Sequence, residues 1–496
     1  MDLNIFRKYD IRGVFGENLD GDVAWRFGHA YAETMIQAKS RHALTGPAIA
    51  VARDCRQSSD LLADALMSGL TVGGVDVVDL GLCPTPLLYF ALFHHPLAGG
   101  IVVTGSHNPP AFNGFKVCRG RRTMWGEELR QIGEAAARLH PEVSRGGPSG
   151  CLRRHHIIPE YLAWMVNHFR RDSRVSSGSP MDLKVVVDAG NGTAGAVVPD
   201  LLRGLGCEVI PIYCDVDGRF PHHHPDPTVL ENLEDLRKKV VETKADFGVA
   251  YDGDGDRLGV VDERGEVMWG DRVLILFARH LLQDSPGAVC IGDVKCSHLF
   301  FQDVEQRGGV AVMWKTGHSL IKEKMREMQA ALAGEMSGHF FFADRYFGYD
   351  DAIYATARLL EILRKARMEE PELRLSDLLA DLPRTFSTPE IRRPCPDSRK
   401  FQIVEALKAS LSSGGGRLVI GELLPGGEFQ DVMFIDGVRI TFAHGWALVR
   451  ASNTEPALIL RFEADRTDML ERYQACIERL LQGVAEDSLV RLGDGS

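Results

Sequence analysis

The chain has 496 residues, a formal net charge of −11 and 45% hydrophobic residues. Its length predicts about three domains of ordinary size. Basic residues do not outnumber acidic residues, which argues against nucleic acid as the main partner. No run of about 18 apolar residues occurs, and the first residues lack a signal-peptide pattern, so we expect neither a membrane span nor a signal peptide. Ten cysteines, scattered without a C-x-x-C pair, predict reduced thiols in a cytoplasmic protein.

A weak internal repeat divides most of the chain into similar units, at 48–78, 183–210 and 288–312. In each unit a strand-like run ends at an aspartate (Asp54, Asp188 and Asp293) and is followed by a helical pattern and a second strand. Continuous Val/Ile runs that alternate with helices are typical of parallel sheets covered on both faces. The repeat therefore predicts three α/β domains.

A polar loop, Thr104-Gly105-Ser106-His107-Asn108-Pro109, follows the buried-strand run 100–103 in the first unit, and Lys116 comes shortly after it. Backbone N–H groups on such a loop can hold an anion. The loop therefore predicts a serine that carries a phosphoryl group.

Three aspartates alternate with glycines in the loop 252–257, between two strand-like runs: Asp252, Asp254 and Asp256. Oxygen ligands at this spacing suit Mg²⁺ or Ca²⁺. A calcium EF-hand is disfavoured, because Arg257 stands where that loop needs glycine and the flanks are not helical. An acidic surface turn is the other alternative. Mg²⁺ prefers six oxygens, so a phosphate on Ser106 could complete its coordination.

Two later loops carry groups suited to a phosphorylated sugar. Glu335 and Ser337 lie between glycines and can face adjacent hydroxyls, although an ordinary turn would explain this loop alone. The loop 450–456 places Arg450 among hydroxyl and amide donors, which suits a phosphate; a capped turn is the alternative.

The last unit is predicted to be α+β, with strands near 417–420, 432–435, 439–442, 446–451 and 457–463. A closing helix follows them. Its apolar face consists of Met469, Leu470, Tyr473, Cys476, Ile477, Leu480 and Leu481.

Taken together, these segments resemble the α-D-phosphohexomutase superfamily, and most closely its bacterial phosphomannomutase/phosphoglucomutase members. The resemblance covers nearly the whole chain, in the family's order, with one motif per domain. It implies three similar α/β domains with mixed, largely parallel sheets, and a C-terminal α+β domain like the TATA-binding protein, around a central cleft. We place these domains at 1–155, 156–266, 267–382 and 383–496.

The resemblance also implies roles for single residues. Ser106 would be the phosphoserine, and one Mg²⁺ per chain would be bound by Ser106, Asp252, Asp254 and Asp256. Lys116 would assist proton transfer, which requires a lowered pKa. The supporting catalytic residues would be Arg12, His107 and Arg257. The implied substrate-binding residues are Tyr9, Lys295, His318, Glu335, Ser337, His339, Arg450, Ser452, Asn453 and Thr454.

The implied reaction interconverts hexose 6-phosphate and hexose 1-phosphate through a 1,6-bisphosphate that reorients in the cleft. Glucose 1,6-bisphosphate is the expected activator. If Glu335 and Ser337 bind hydroxyls 3 and 4, they tolerate this reorientation, and a site that ignores C2 accepts both mannose and glucose. The expected partners are hexose phosphates alone, with no nucleic acid or membrane, for a cytoplasmic monomer or dimer.

Several alternatives stay open on the sequence alone. A phosphoglucosamine mutase is the nearest, but relatives of that type usually have glutamine at the place of Met336 and glycine at that of Asn453. A non-catalytic sugar-phosphate-binding protein and an aspartyl phosphotransferase that uses Asp252 as nucleophile are others. A serine hydrolase is disfavoured, because Thr104 and Asn108 stand where G-x-S-x-G needs glycines. The run 221–225 contains three histidines, but its flanking prolines disfavour a zinc site.

Overall fold

The computed structural model describes residues 1–41, 48–139, 149–171, 183–412, 420–424, 428–453 and 456–493. These residues form four sheets in chain order, the first three mixed and the fourth antiparallel. The predicted fold class, three α/β domains followed by an α+β domain, is confirmed. In the described part of the chain, no helix is both long and apolar enough to cross a membrane.

The first domain is a seven-stranded mixed sheet with helices on both faces. Its strands are β1 (Ile11–Val14), β2 (Ala48–Arg53), β3 (Asp76–Leu82), β4 (Leu97–Val103), β5 (Phe112–Arg119), β6 (Arg122–Thr123) and β7 (Leu152–Arg154). Its helices are α1 (Gly21–Arg41), α2 (Ser59–Val72), α3 (Thr85–His94) and α4 (Glu127–Arg138). The strand order is β1-β5-β4-β2-β3-β7, and β6 pairs with β5. Strands β4, β2, β3 and β7 run parallel, whereas β5 is antiparallel to β4.

The second domain has a five-stranded sheet of order β12-β11-β10-β8-β9. Its strands are β8 (Lys184–Asp188), β9 (Glu208–Ile212), β10 (Phe247–Tyr251), β11 (Leu258–Asp262) and β12 (Val267–Met268). The helices of this part of the chain are α5 (Ile157–Arg171), α6 (Val198–Gly204) and α7 (Glu234–Thr243). Because β10 and β11 pair antiparallel, the acidic loop between them connects two adjacent strands.

The third domain has a four-stranded sheet of order β14-β13-β15-β16. Its strands are β13 (Val289–Asp293), β14 (Val310–Trp314), β15 (Leu332–Gly334) and β16 (Phe340–Phe342). Its helices are α8 (Gly270–Asp284), α9 (His298–Gln306), α10 (His318–Met328) and α11 (Ala352–Glu369). In all three repeats the predicted strand–helix–strand unit is present, and the aspartate lies at or just after the end of the first strand.

The fourth domain is a six-stranded sheet of order β17-β22-β21-β20-β19, with β18 paired to β22. Its strands are β17 (Phe386–Ser387), β18 (Ile391–Pro394), β19 (Phe429–Met433), β20 (Val438–Phe442), β21 (Gly445–Ala451) and β22 (Ala457–Ala464). Two helices, α12 (Asp397–Ser412) and α13 (Thr467–Gly493), cover the sheet. Six of the seven predicted apolar residues of α13 are buried in the core, and Leu470 is partly buried there.

Three of the five predicted strands in this domain overlap β20, β21 and β22 almost fully. Of the other two, the first is wrong where it is described and the second is shifted. The run 417–420 lies outside the described residues except Ile420, which is helical rather than extended. The strand predicted at 432–435 is β19, which starts earlier and ends at Met433. The predicted domain boundaries stay a prediction.

Buried arginines attach the fourth domain to the third. The guanidinium of Arg439 lies 3.7 Å from the centre of the Trp446 ring and donates to the backbone carbonyls of Val294 and Cys296. A desolvated cation over an aromatic face is worth about 2 kcal/mol. The two hydrogen bonds from Arg439 to the third domain position the sheet of the fourth domain beside the loops that follow β13.

Candidate active site

A cavity of about 510 Å³ lies between the four domains and is lined by residues from each of them. Fourteen of the predicted site residues line it: Tyr9, Arg12, Ser106, His107, Lys116, Arg257, Lys295, His318, Glu335, Ser337, His339, Arg450, Ser452 and Asn453. Thr454 lies outside the described residues. The three aspartates are fully buried beneath the cavity, where they contact Ser106 and Lys116.

Ser106 lies on the loop after β4, with its side chain 2% exposed. Its Oγ donates to Asp252 Oδ2 at 2.9 Å and lies 3.1 Å from His107 Nδ1. The backbone of Ser106 is left-handed, with φ 49°, a conformation that costs a non-glycine residue about 1–2 kcal/mol. Its N–H donates to Thr104 Oγ1 at 2.8 Å. The strained turn therefore aims the serine hydroxyl at the acidic loop.

Arg56 holds the serine loop from below and has a fully buried side chain. Its guanidinium donates to the backbone carbonyls of Ser106 (2.7 Å), Asn108 (2.5 Å), Pro109 (2.7 Å) and Phe112 (3.0 Å). A Cβ at Gly105 would lie 2.3 Å from Arg56 Cζ, so only glycine leaves room for this contact. The sequence interpretation gave Arg56 no role.

The acidic loop lies at the base of the same cavity, with Asp252, Asp254 and Asp256 all at 0% exposure. Its flanks are the strands β10 and β11, so the EF-hand alternative is wrong, and its burial excludes the surface turn. A Cβ at Gly253 would lie 2.6 Å from the carbonyl oxygen of Ser106. Glycine at this position therefore lets the two loops approach each other closely.

The donor set of the acidic loop fits a hard divalent cation. One carboxylate oxygen from each aspartate lies within 4.8 Å of the others. The Oδ1 atoms of Asp254 and Asp256 are buried without a hydrogen-bond partner. Burying unpaired carboxylate oxygens costs free energy of folding unless a cation binds them. Burial, together with Asp254 and Asp256, raises the pKa of Asp252 well above its usual value. Unpaired, buried oxygens of this kind are the ligands that Mg²⁺ prefers.

Lys116 lies on β5, and its ammonium group contacts the acidic loop. Its Nζ donates to Asp254 Oδ2 at 2.6 Å and also to Asp256 Oδ2. Burial would lower the pKa of Lys116, but the carboxylates of Asp254, Asp256 and Asp252 outweigh it, so the pKa is raised. The aspartates alone thus raise the pKa of Lys116, whereas a proton acceptor needs a lowered pKa; the role of Lys116 stays a prediction.

Two arginines and two histidines surround the serine and the acidic loop. Arg12 donates to Asp10 at 2.8 Å and to the carbonyl of Thr104 at 3.2 Å. Arg257 donates from Nε to His339 Nε2 at 3.0 Å. Burial lowers the pKa of His107 well below its usual value, and Arg257 and Arg12 lower it further. His107 is therefore neutral, while both arginines supply positive charge to the cavity.

The predicted sugar-binding loop connects β15 to β16 and faces the same cavity. Glu335 is 2% exposed; its Oε1 accepts from the Gly317 N–H, and its Oε2 lies 3.5 Å from Ser337 Oγ. Burial raises the pKa of Glu335. A backbone N–H thus holds one carboxylate oxygen of Glu335 in place. The other oxygen lies near the hydroxyl of Ser337, which faces the cavity.

The far side of the cavity is built by the first, third and fourth domains together. The Tyr9 hydroxyl donates to the carbonyl of Thr316 at 2.8 Å and accepts from Asn453 Nδ2 at 2.6 Å. Arg450 Nε donates to Asp436 at 3.0 Å, which leaves the other nitrogens of its guanidinium beside the cavity. This side therefore offers several hydrogen-bond donors, with the charge of Arg450 partly offset by Asp436.

Two carboxylates of the site, Glu390 and Asp350, were missed by the sequence interpretation besides Arg56. Glu390 accepts from Lys295 Nζ at 3.1 Å. Burial would raise the pKa of Glu390, but Lys295 and Arg392 lower it to about 2. Asp350, fully buried, lies 3.3 Å from His339 Nδ1 and accepts from Lys322 at 2.9 Å. A local signal for Asp350 in the sequence is the pair of adjacent aspartates, Asp350 and Asp351, that precedes α11.

The histidine run 221–225 does not converge on a common point. His222 Nδ1 lies 2.8 Å from Asn191 Oδ1, His223 Nε2 lies 3.0 Å from Asp188 Oδ2, and His224 Nε2 contacts the His107 carbonyl. No group of potential metal ligands found among the described residues includes this run. These histidines instead support the second-domain loops and the serine loop.

Four domains around one cleft, each contributing a loop to it, define the class of protein as a phosphohexomutase. Four domain models described as phosphoglucomutase/phosphomannomutase match the chain in order. The alpha/beta/alpha domains I, II and III match residues 3–139, 159–265 and 269–386, and the C-terminal domain matches 390–480. The chain belongs to the phosphoglucomutase/phosphomannomutase family.

Individual relatives agree with this assignment. A phosphomannomutase/phosphoglucomutase of Pseudomonas putida is 44% identical over 95% of this chain and 93% of its own. A phosphoglucomutase of Neisseria meningitidis is 40% identical over 95% of each chain. The crystal structure of a phosphoglucomutase/phosphomannomutase family protein from Burkholderia thailandensis has a TM-score of 0.84 at 40% identity, covering 98% of both chains.

Proposed function

We propose that this enzyme interconverts the 6-phosphates and 1-phosphates of mannose and glucose through a phosphoserine at position 106. The observation that carries the proposal is the contact between Ser106 Oγ and Asp252 Oδ2, at 2.9 Å, at the base of a cleft that opens to all four domains. Three buried carboxylates beside this hydroxyl, two of them with an unpaired oxygen, are otherwise an unfavourable arrangement. It becomes favourable when the serine carries a phosphoryl group and the carboxylates hold a cation.

Mg²⁺ is the cation we propose for the acidic loop, held by Asp252, Asp254, Asp256 and the phosphorylated Ser106. When bound, it supplies Lewis-acid polarisation of the phosphoryl group and offsets its charge. The protein supplies the rest of the positive charge through Arg12 and Arg257, which flank the serine loop. Preorganised cations of this kind provide the electrostatic stabilisation that phosphoryl transfer requires.

Lys116 is proposed to accept the proton from the sugar hydroxyl that takes the phosphoryl group. Its pKa is raised by the aspartates alone, and a divalent cation on the same aspartates would offset that effect. Burial and the nearby Arg12, which both lower the pKa of Lys116, would then favour the neutral amine. His107 is neutral, and its Nδ1 lies 3.1 Å from Ser106 Oγ, where it supports the serine side chain.

The cleft also suits an intermediate that turns around before the second transfer. Arg450 and Asn453 are proposed to bind the phosphate that is not transferred, with Thr454 completing the loop. Glu335 and Ser337 are proposed to bind the 3- and 4-hydroxyls, which exchange places when the bisphosphate reorients. Tyr9, Lys295, His318, His339 and Ser452 complete the proposed substrate pocket.

A cytoplasmic location is also proposed, and we expect a monomer or a dimer that needs no partner other than hexose phosphates. The support for the compartment is the state of the ten cysteines, which are all free thiols, since reducing compartments keep thiols unpaired. Glucose 1,6-bisphosphate is proposed as the activator that phosphorylates Ser106.

The test of the function is a mutase assay with mannose 1-phosphate and glucose 1-phosphate, with Mg²⁺ and a trace of glucose 1,6-bisphosphate. We expect kcat/KM for the two sugars to agree within about tenfold, a difference of about 1.4 kcal/mol. Glu335→Gln should lower both values alike, by about 10- to 100-fold, because the hydrogen bonds lost are to a charged group and the 3- and 4-hydroxyls are common to both sugars.

Glucosamine 1-phosphate serves as the control substrate in the same assay. Turnover of glucosamine phosphate in preference to both hexoses would overturn the proposed sugar specificity. A Glu335→Gln variant that lost activity on only one hexose would show that Glu335 reads a position other than the shared hydroxyls.

A further inference from the structure

Three groups of potential metal ligands occur among the described residues, and one of them lies outside the active site: His95, His155 and Glu160. His95 follows α3, His155 follows β7, and Glu160 lies in the first turn of α5. Their side chains are 32%, 39% and 37% exposed. The group is therefore accessible from solvent, unlike the buried aspartates of the cleft.

Both imidazole nitrogens contact the same carboxylate oxygen, and the ligand atoms of the three residues all lie within 4.8 Å of one another. His95 Nε2 lies 3.0 Å from Glu160 Oε2, and His155 Nε2 lies 3.1 Å from the same oxygen. The two rings are 4.9 Å apart at their centres and nearly perpendicular. Zn²⁺ binds imidazole nitrogen and carboxylate oxygen at about 2.0–2.2 Å, which places the ligand atoms of a tetrahedral site about 3.3 Å apart. The observed separations need only small adjustments to reach that spacing.

We infer that His95, His155 and Glu160 form a Zn²⁺ site, separate from the cation site of the cleft. The two imidazoles are borderline donors, which favour Zn²⁺ over Mg²⁺, whereas the cleft site offers only the hard carboxylate oxygens of its aspartates. Three protein ligands leave a fourth position for water. The selectivity follows from the donor types and does not depend on the proposed mutase reaction.

The position of the site links two parts of the molecule. Helix α3 starts at Thr85, whose N–H donates to the Asp254 carbonyl at 2.8 Å and whose Oγ1 donates to Asp254 Oδ2 at 2.5 Å. His95 follows the other end of the same helix, about 15 Å away at 1.5 Å per residue. A metal at His95 would therefore fix the C-terminal end of α3 to the start of α5.

The experiment is a Zn²⁺ titration of the full chain with saturating Mg²⁺, followed by calorimetry and by thermal unfolding. Wild type is compared with the double variant His95→Ala/His155→Ala. His444→Ala is the matched control, because His444 is 40% exposed and pairs with one carboxylate, Asp465, at 2.9 Å. Any Zn²⁺ that enters the acidic loop contributes equally to all three proteins.

We expect wild type and His444→Ala to bind one more equivalent of Zn²⁺ than the double variant, and Zn²⁺ to raise Tm only in the first two. Mutase activity with Mg²⁺ should be the same in all three. If the double variant does not fold, the Glu160→Gln variant tests the inference instead. This substitution should weaken Zn²⁺ binding at the extra site by at least about tenfold. Equal Zn²⁺ stoichiometry in wild type and the double variant, or equal Zn²⁺ affinity in wild type and Glu160→Gln where the double variant does not fold, would overturn the inference.

Discussion

Replacing Ser106 with alanine should lower kcat/KM for both hexose phosphates by about 10⁴-fold or more, because no oxygen remains to carry the phosphoryl group. The fold should be unaffected. Alanine has the same Cβ as serine at the left-handed backbone position, so it adds no strain, and Asp252 Oδ1 still accepts from the N–H groups of Asp256 and Arg257 at 3.1 Å each. The measurement is steady-state kinetics with Mg²⁺ and a trace of glucose 1,6-bisphosphate.

Ser337→Ala is the matched control for this prediction. Ser337 also lines the cleft, but its hydroxyl makes only a long contact of 3.5 Å with Glu335, so its loss should cost about tenfold or less. Mass analysis of the phosphorylated enzyme should place the phosphate on the peptide that contains Ser106. Retained activity in Ser106→Ala, with phosphate on the Asp252 peptide, would establish the aspartyl phosphotransferase alternative instead.

The elements that the sequence predicts best are those whose signal is local. The Val/Ile runs that end at Asp54, Asp188 and Asp293 are strands because a buried parallel strand is apolar on both faces. The alternating aspartates were also recognisable, since carboxylates at this spacing between two strand-like runs suit a hard cation. Ser106 and Asp252 are 146 residues apart and could not be paired from spacing alone; the coordination demand of Mg²⁺ suggested the pair, and the family resemblance implied it.

The features that the sequence did not predict depend on contacts between distant segments. Arg56 looks like an ordinary surface arginine in its own turn, and only the folded chain shows that four carbonyls of another loop surround it. The effect of the acidic loop on the pKa of Lys116 was not predicted, for the same reason. The sequence showed nearby arginines, whereas the structure places Asp254 and Asp256 in direct contact with the ammonium group.

Arg56→Lys should reduce both stability and catalysis, although the positive charge is kept. A lysine ammonium has three donors at one point and cannot reach four carbonyls that a planar guanidinium spans. Each buried carbonyl left unpaired costs about 1–3 kcal/mol, so we expect a loss of about 3 kcal/mol in the free energy of unfolding. Arg53→Lys is the matched control. Arg53 lies in the same turn but is 22% exposed, and its ion pairs should be worth about 1 kcal/mol or less.

The kinetic effect separates positioning of the serine loop from simple stabilisation of the domain. Below the melting temperature of the Arg56→Lys variant, kcat should fall by about 100-fold, because a displacement of the phosphoserine by about 1 Å misaligns the transfer. KM should change little, since the sugar and far-phosphate loops belong to other domains and do not contact Arg56. A variant with lowered Tm but wild-type kcat would show that Arg56 only stabilises the first domain. A reduced kcat at unchanged KM, absent in Arg53→Lys, assigns Arg56 the positioning of Ser106.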